Sequence, residues 1–427
     1  MKKRLQRVVT LLLVFAMVLP LAACSGEKEL SKNSKKLESK EELNTEITGD
    51  YEYSPTKNEQ KNMMDFSVRL FQNCVEKDVN TLISPLSVMV ALSMVANGAK
   101  GSTLEQMEDV LGLSAQDLNV YFYNYSKSLP QGKKYKLQMA NSIWFRDSER
   151  FTVEEGFLQT NKAYYQADIY KAPFDDTTVQ DINLWVNNNT DGMIKEMLQE
   201  IPEATLMYII NAVVFDAKWQ EAYEKKQVKD REFTMENGVK QKVKLMYSEE
   251  GCYLEDENAT GFMKYYADKK YAFVALLPKD GVSVVDYVAG MSGEKLQNLL
   301  NNWKSVQVDA AIPQFEMNYD ILMNDALMKM GMTDAFDGAL ADFSGLGTSA
   351  DGNISINNVL QKTYIEVSPE GTRAAAVTAV DAVAESEVVF KTVHLDRPFV
   401  YMLIDCENKQ PFFMGTMMSV EKECGLE

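Results

Sequence analysis

Histidine is almost absent: His394 is the only one in 427 residues. A histidine general base must sit beside a nucleophile and an orienting carboxylate. His394 lies instead in the strand-like stretch VHLDRPF and reads as structural or surface. Cysteine is scarce as well. Apart from Cys24 there are Cys74, Cys252, Cys406 and Cys424, with no CxxC pair and no Cys/His cluster. That spacing indicates neither a metal site nor a disulfide framework, and no cofactor is expected. GxSxG, GxxxxGK[ST] and HExxH are all missing, which removes the usual signatures of hydrolases, P-loop proteins and zincins. An enzyme working with carboxylates alone survives, because 62 Asp and Glu always leave some pair available, but availability is not evidence.

Positive charge is also in deficit, and the formal net charge is -18. Long apolar runs are missing except for Val8 to Leu19, which is shorter than the roughly 20 residues of a spanning helix. Lys2, Lys3, Arg4 and Arg7 precede that run, and Leu21-Ala22-Ala23-Cys24 follows it. This is the layout of an export signal, to be left out of the fold. Its end resembles the lipobox of bacterial lipoproteins, which implies that Cys24 is lipidated and becomes the new N-terminus. Residues 1–23 would then be removed, taking four positive charges and moving the net charge to -22. Nucleic acid and anionic membrane are poor partners for such a chain, and contact with a membrane is expected only through lipid on Cys24. The expected location is the outer face of a bacterial membrane, or the extracellular space after release. Residues 24–57 are polar and rich in Ser, Lys and Glu, which reads as a flexible tether. Residues 58–420 read as one globular domain without an internal linker or repeat, and 421–427 as a tail.

Met63, Phe66, Leu70, Phe71 and Cys74 recur at helical spacing, so 61–77 reads as an amphipathic helix. Ser84 is a good cap with Pro85 at the first helical position, and Val88 to Ala96 is apolar nearly all round, which predicts a buried helix ending near Gly98. Ser102 and Glu105 suit a capping box for the next helix. KLQMANSIWF alternates like a half-buried strand, while LMYIINAVVF, at 206–215, suits a strand covered on both faces. TYIEV is another strand, and PFVYMLID with PFFMGTMMSV reads as a hairpin of buried strands. Helices come early, strands dominate late, and no regular βαβ alternation appears, so the class is α+β.

Several of these segments, in this order, resemble the serpin family: NTLISPLSVMVALSMVANGAKGSTLEQM, ANSIWF, INLWVNNNTDGMI, IINAVVFDAKW, IPQFEMNYD, GMTDAF with ADFSG, YIEVSPEGTRAAAVTA, and DRPFVYMLID with PFFMG. The resemblance implies three β-sheets wrapped by helices, with an exposed reactive-centre loop at 371–390. It implies a monomeric suicide inhibitor whose partner is a serine protease. Cleavage forms an acyl-enzyme, the freed loop enters the main sheet as a strand, and the protease is dragged along and distorted. No catalytic residue is implied. A non-inhibitory binding or bait protein on the same fold is the alternative.

For insertion, alternate loop residues must face the core. Thr372, Ala374, Ala376, Thr378, Val380 and Ala382 are small or β-branched and uncharged, whereas Arg373 and Asp381 share the opposite parity with Ala375. Gly371, Thr372, Ala374, Ala375, Ala376 and Thr378 therefore form the expected hinge. Counting from Gly371 as in inhibitory members puts the cleaved bond at Glu385–Ser386, which would suit a glutamate-specific protease. Ala382, Val383 and Ala384 instead suit elastase-like or subtilisin-like enzymes, with Val383 and Ala384 as shifted positions. The resemblance also points to Trp219 at the top of the main sheet and to Ser84, Ser87, Asn211 and Gln361 under its centre as the sheet-opening region. Two departures stand out. Gln361 replaces a histidine of many members, and Pro369 replaces a glutamate that usually anchors the hinge by a salt bridge.

Overall fold

A computed structural model describes residues 29–37, 56–129, 135–267, 269–372 and 391–420. The export signal, Cys24, Cys424, the tail and loop positions 373–390 lie outside the described residues. That last span holds Ala374, Ala375, Ala376, Thr378, Val383, Ala384, Glu385 and Ser386.

The main sheet has seven strands: β1 (Lys35–Lys36), β2 (Tyr135–Arg146), β3 (Asp168–Ala172), β4 (Met207–Lys218), β5 (Phe315–Leu322), β6 (Leu360–Val367) and β7 (Gly371–Thr372). Their spatial order is β1-β3-β2-β4-β7-β6-β5. A nine-stranded sheet packs behind it, built around Lys240–Glu255, Ala259–Tyr265, Tyr271–Pro278, Phe399–Asp405 and Pro411–Met417. A two-stranded sheet pairs Phe151–Val153 with Gly347–Ser349. The expected C-terminal hairpin is present, with every residue of Phe399–Asp405 and Pro411–Met417 buried. Met207–Lys218 puts one face on each core cluster, as expected of a strand covered on both faces, whereas Tyr135–Arg146, expected to bury one face, is buried continuously from Asn141 to Phe145.

Helix α1 (Lys57–Cys74) starts and ends earlier than its apolar spacing alone suggests. Thr56 and Glu59 form a reciprocal capping box there, and Val75 turns extended after the last turn. Helix α2 (Pro85–Ala96) is capped by Ser84, whose side chain accepts from the Ser87 N–H. It lies buried between the two large sheets, against β4 and the strand Pro411–Met417. The capping box expected at Ser102 and Glu105 is not formed. The helix Gly101–Leu111 begins two residues earlier than a Ser102 cap would set it, with Lys100 as cap, and the Ser102 hydroxyl donates to the Asp334 carboxylate at 2.7 Å. Ser102 thereby lies inside the first turn and not at the cap, and its hydroxyl finds a charged acceptor across the fold.

The reading of 24–57 as a free tether is corrected for its middle part. Strand β1 pairs antiparallel with β3 at the sheet's edge, Lys35 opposite Lys171 and Lys36 opposite Tyr170. Leu30 packs on the cluster of Trp144, Tyr170 and Phe174 beneath helix α3 (Asp176–Asn189), and Leu37 packs on the main core. The buried Asp181 carboxylate of α3 accepts from the Ser31 N–H (2.7 Å) and from the hydroxyls of Ser31 (2.5 Å) and Ser34 (2.6 Å). Composition alone marked the segment as polar. Its serines are consumed by one buried acid, and its backbone covers an otherwise unpaired edge.

Candidate functional site

The expected hinge begins inside the main sheet. After β6 the chain turns through Ser368, Pro369 and Glu370 and returns as β7, with mutual backbone bonds between Ser368 and Gly371. Thr372 then lies opposite Val367 of β6 and Ala217 of β4, and Gly371 opposite Lys218. Among the described residues, these two residues are what joins β4 to β6. Glycine is required at 371 by close approach, because a Cβ there would sit 2.1 Å from the Ala217 carbonyl oxygen. Gly371→Val should therefore lift the hinge off β4 and cost about 1–3 kcal/mol through overpacking, read as a lower melting temperature and faster proteolysis around residue 370.

Thr372 is 2 % exposed, and its partners Ala217 and Val367 face the interior. Thr372 is the one position of the expected inward set that can be described, and it lies on the buried face of the sheet. The Thr372 hydroxyl lies 2.6 Å from the Tyr266 hydroxyl. Tyr266 stacks on Trp219 with centroids 4.5 Å apart, and the Trp219 indole N–H donates to the Ser368 carbonyl at 2.9 Å. Burial holds the Tyr266 phenol well above its usual pKa, so it stays a neutral hydroxyl at this contact.

Pro369 cannot make the salt bridge that a glutamate would. The turn is tied through its backbone instead: the Pro369 carbonyl accepts from the Tyr223 N–H at 2.9 Å and the Glu370 carbonyl from the Trp219 N–H at 3.0 Å. The Ser368 hydroxyl also donates to the Gly371 carbonyl at 3.0 Å.

Sequence reasoning missed the charges below this turn. Lys264 and Glu250 form an ion pair of 2.8 Å with side chains only 3 % and 12 % exposed. The Lys264 ammonium also lies over the rings of Tyr223 (4.5 Å) and Trp219 (5.5 Å), and the Ser248 hydroxyl donates to Glu250 at 2.7 Å. Burial pulls the Lys264 pKa down, but Tyr223 and Glu250 more than offset it, and the net direction is upward. Only folding brings Lys264, Glu250 and Tyr223 together, so no local motif could have marked them.

Glu250→Ala strands a buried ammonium and should cost about 3–5 kcal/mol, whereas Glu250→Leu with Lys264→Met should regain most of it. The folded pKa of Lys264 lies above its unfolded value. Its contribution is therefore complete below the ordinary lysine range and is lost as pH rises through the folded pKa. Thermal melts at alkaline pH should show that loss in the wild type and not in the double variant.

Under the sheet's centre the expected polar residues divide into two groups. Gln361 clasps the Ser84 backbone with both ends of its amide, each bond 2.9 Å, and the Ser84 hydroxyl donates to the Phe412 carbonyl at 2.7 Å. Gln361 thus supplies here the polar contact to helix α2 for which a histidine was the expected residue. Ser87 belongs to the same corner through the Ser84 cap. Asn211 is bonded elsewhere: its amide donates to Asn141 at 2.7 Å, and Asn141 donates to the Tyr165 carbonyl at 2.8 Å. The Asn211 carbonyl oxygen is buried without a hydrogen-bond partner among the described residues, a state that costs about 1–3 kcal/mol.

His394 is remote from all of this, its imidazole 3.0 Å from Asp309 and edge-on to Tyr247. Cys74, Cys252 and Cys406 form no disulfide among the described residues, and burial pushes the Cys74 thiol up to about 12.

The main sheet thus carries a two-residue hairpin hinge, Gly371–Thr372, between β4 and β6. The family model for Serpin (serine protease inhibitor) matches residues 61–420, and the chain belongs to the serpin family. It is 30 % identical to Serpin B8 of Homo sapiens over 83 % of this chain and 97 % of that protein. The native-state structure of the thermophilic serpin Tengpin is 48 % identical and superimposes with a TM-score of 0.82, covering 87 % of this chain and 96 % of that one. A thyroxine-binding globulin complexed with thyroxine is similar at 25 % identity and TM-score 0.74, over 86 % and 100 % of the two chains. Serpins are mostly serine-protease inhibitors, and the last neighbour carries a ligand on the same fold.

Proposed function

We propose that this chain is a suicide inhibitor of serine endopeptidases, acting at the outer face of a bacterial membrane through lipid on Cys24. The reading rests chiefly on the hinge: Gly371 and Thr372 already sit between β4 and β6, with Thr372 on the buried face. Continuing that register in a cleaved, inserted state places Ala374, Ala376, Thr378, Val380 and Ala382 inward. It also places Thr378 between Asn211 and Gln361, where its hydroxyl would meet the unpartnered Asn211 oxygen. The elastase-like or subtilisin-like group is the proposed target, because Ala382, Val383 and Ala384 offer several acceptable bonds; cleavage at Glu385–Ser386 by a glutamate-specific enzyme is the other.

Incubation with a panel of all three protease types tests the reading. An SDS-resistant complex, with mass spectrometry of the released loop fragment fixing the bond, is the expected result. Turnover of the loop by every enzyme without a trapped species would sink it. The thyroxine-bound neighbour favours a second reading, a non-inhibitory carrier, and that reading predicts cleavage without a gain in stability.

A further inference from the structure

The strand Lys240–Glu255 changes neighbours partway along its length. On one edge its pairing with Val228–Thr234 stops at Met246 and its pairing with Ala259–Tyr265 starts at Cys252, so residues 247–251 have no strand beside them there among the described residues. On the other edge a bulge sets Val306 and Gln307 against Gly251 alone. A cavity of about 250 Å³ opens at this gap. We propose that it binds a small aromatic amine, with the ring against Trp303 and the ammonium against Glu221 and Glu249.

The ring is called for by the walls. Trp144, Trp185 and Trp219 are buried, whereas Trp303 is 39 % exposed and lines the cavity. Cys252 and Met263 add soft apolar surface to the same lining. An indole left in solvent at the wall of a cavity is a surface for another ring to stack on. The volume lies just under the roughly 300–1,000 Å³ of drug-sized sites, which suits a ligand of about a dozen non-hydrogen atoms.

The ammonium is called for by charge. The carboxylates of Glu221, Glu249 and Glu250 outnumber the ammoniums of Lys264 and Lys269 in the lining. Glu250 is committed to Lys264. Glu221 and Glu249 are exposed and form no ion pair among the described residues. A monocation therefore makes the lining neutral, and an anion would add to its excess. The ligand would lie close to the hinge, because the Lys264 ammonium on the inner wall also sits over Trp219, which holds the Ser368 carbonyl.

Gly251 supplies the test. A Cβ there meets nothing within 4 Å, so Gly251→Leu sends its side chain into the cavity. Isothermal calorimetry on the full chain should show one tryptamine bound per chain, with a Kd on the order of 0.1 mM. Indole-3-propionate keeps the ring and reverses the charge, and hexylamine keeps the charge without the ring; each should bind at least about tenfold more weakly. Gly251→Leu should abolish tryptamine binding, and Glu221→Gln with Glu249→Gln should weaken it about tenfold. Both glutamates are exposed, so the double variant keeps the test decisive if Gly251→Leu folds poorly. Absence of tryptamine binding overturns the site. Equal binding of the amine and the acid, or binding that survives both sets of substitutions, overturns it as well.

Discussion

Thr372→Arg should turn the inhibitor into a substrate: the target protease keeps cleaving the loop, and the SDS-resistant complex disappears. The position decides this. Thr372 is the first inserted residue that faces the core, 2 % exposed and 2.6 Å from the Tyr266 hydroxyl, with Ala217 and Val367 on either side. No carboxylate among its described partners could pair with a guanidinium there. Burying an unpaired charge costs at least about 3 kcal/mol, so the arginine drives the hinge out of the sheet in the uncleaved protein. Insertion must then bury it, and a barrier raised by that much slows insertion roughly a hundredfold. Trapping is a race between insertion and deacylation, so a delay of that size hands the outcome to water. Thr372→Val is the control, since it forfeits one hydrogen bond, about 1 kcal/mol, and should still trap. A stopped-time gel series with active-site titration of the protease distinguishes the two variants. Undiminished complex from Thr372→Arg would mean that the loop does not enter the sheet at this position.

Cleavage of the loop between Thr378 and Val388 should raise the melting temperature on the order of 20 °C. About a dozen newly paired residues at roughly 1 kcal/mol net each amount to about 10 kcal/mol, comparable with the whole stability of a typical domain at about 5–15 kcal/mol. Each kcal/mol moves the midpoint of a large domain by about 2 °C. The gain has a local signature as well. Thr378→Val should remove about 1–2 kcal/mol of it, because the buried Asn211 oxygen would remain unpaired after insertion. Calorimetry of intact and nicked protein measures both effects. A nicked form that melts with the intact one would favour the carrier reading, in which the same hinge fails to insert.

Much of this was legible before folding. The α+β class, the buried helix capped by Ser84 and the apolar C-terminal hairpin follow from local spacing and capping residues, and each is present; the strand Tyr135–Arg146 is present too, but Asn141 to Phe145 are buried on both faces and do not alternate. The inward parity of Thr372 was legible too, since side-chain alternation is a property of any strand. Elsewhere local reasoning failed where a distant partner intervened. Ser102 spends its hydroxyl on Asp334 and caps nothing, and Asn211 turns to Asn141 and not to the Ser84 corner. Pro369, read as a loss because it cannot form a salt bridge, proves to be tied by its carbonyl to Tyr223.

By itself, the sequence determined which segments can be strands, which face each would bury and which loop could become a strand, because those properties depend on side-chain period, size and charge within a few residues. Tertiary structure alone decided what holds the hinge and what becomes of the N-terminal segment. The Lys264–Glu250 pair under Trp219, and the Asp181 carboxylate that gathers Ser31 and Ser34, are made by residues far apart in the chain. Their worth comes from burial, which exists only once the sheets have packed.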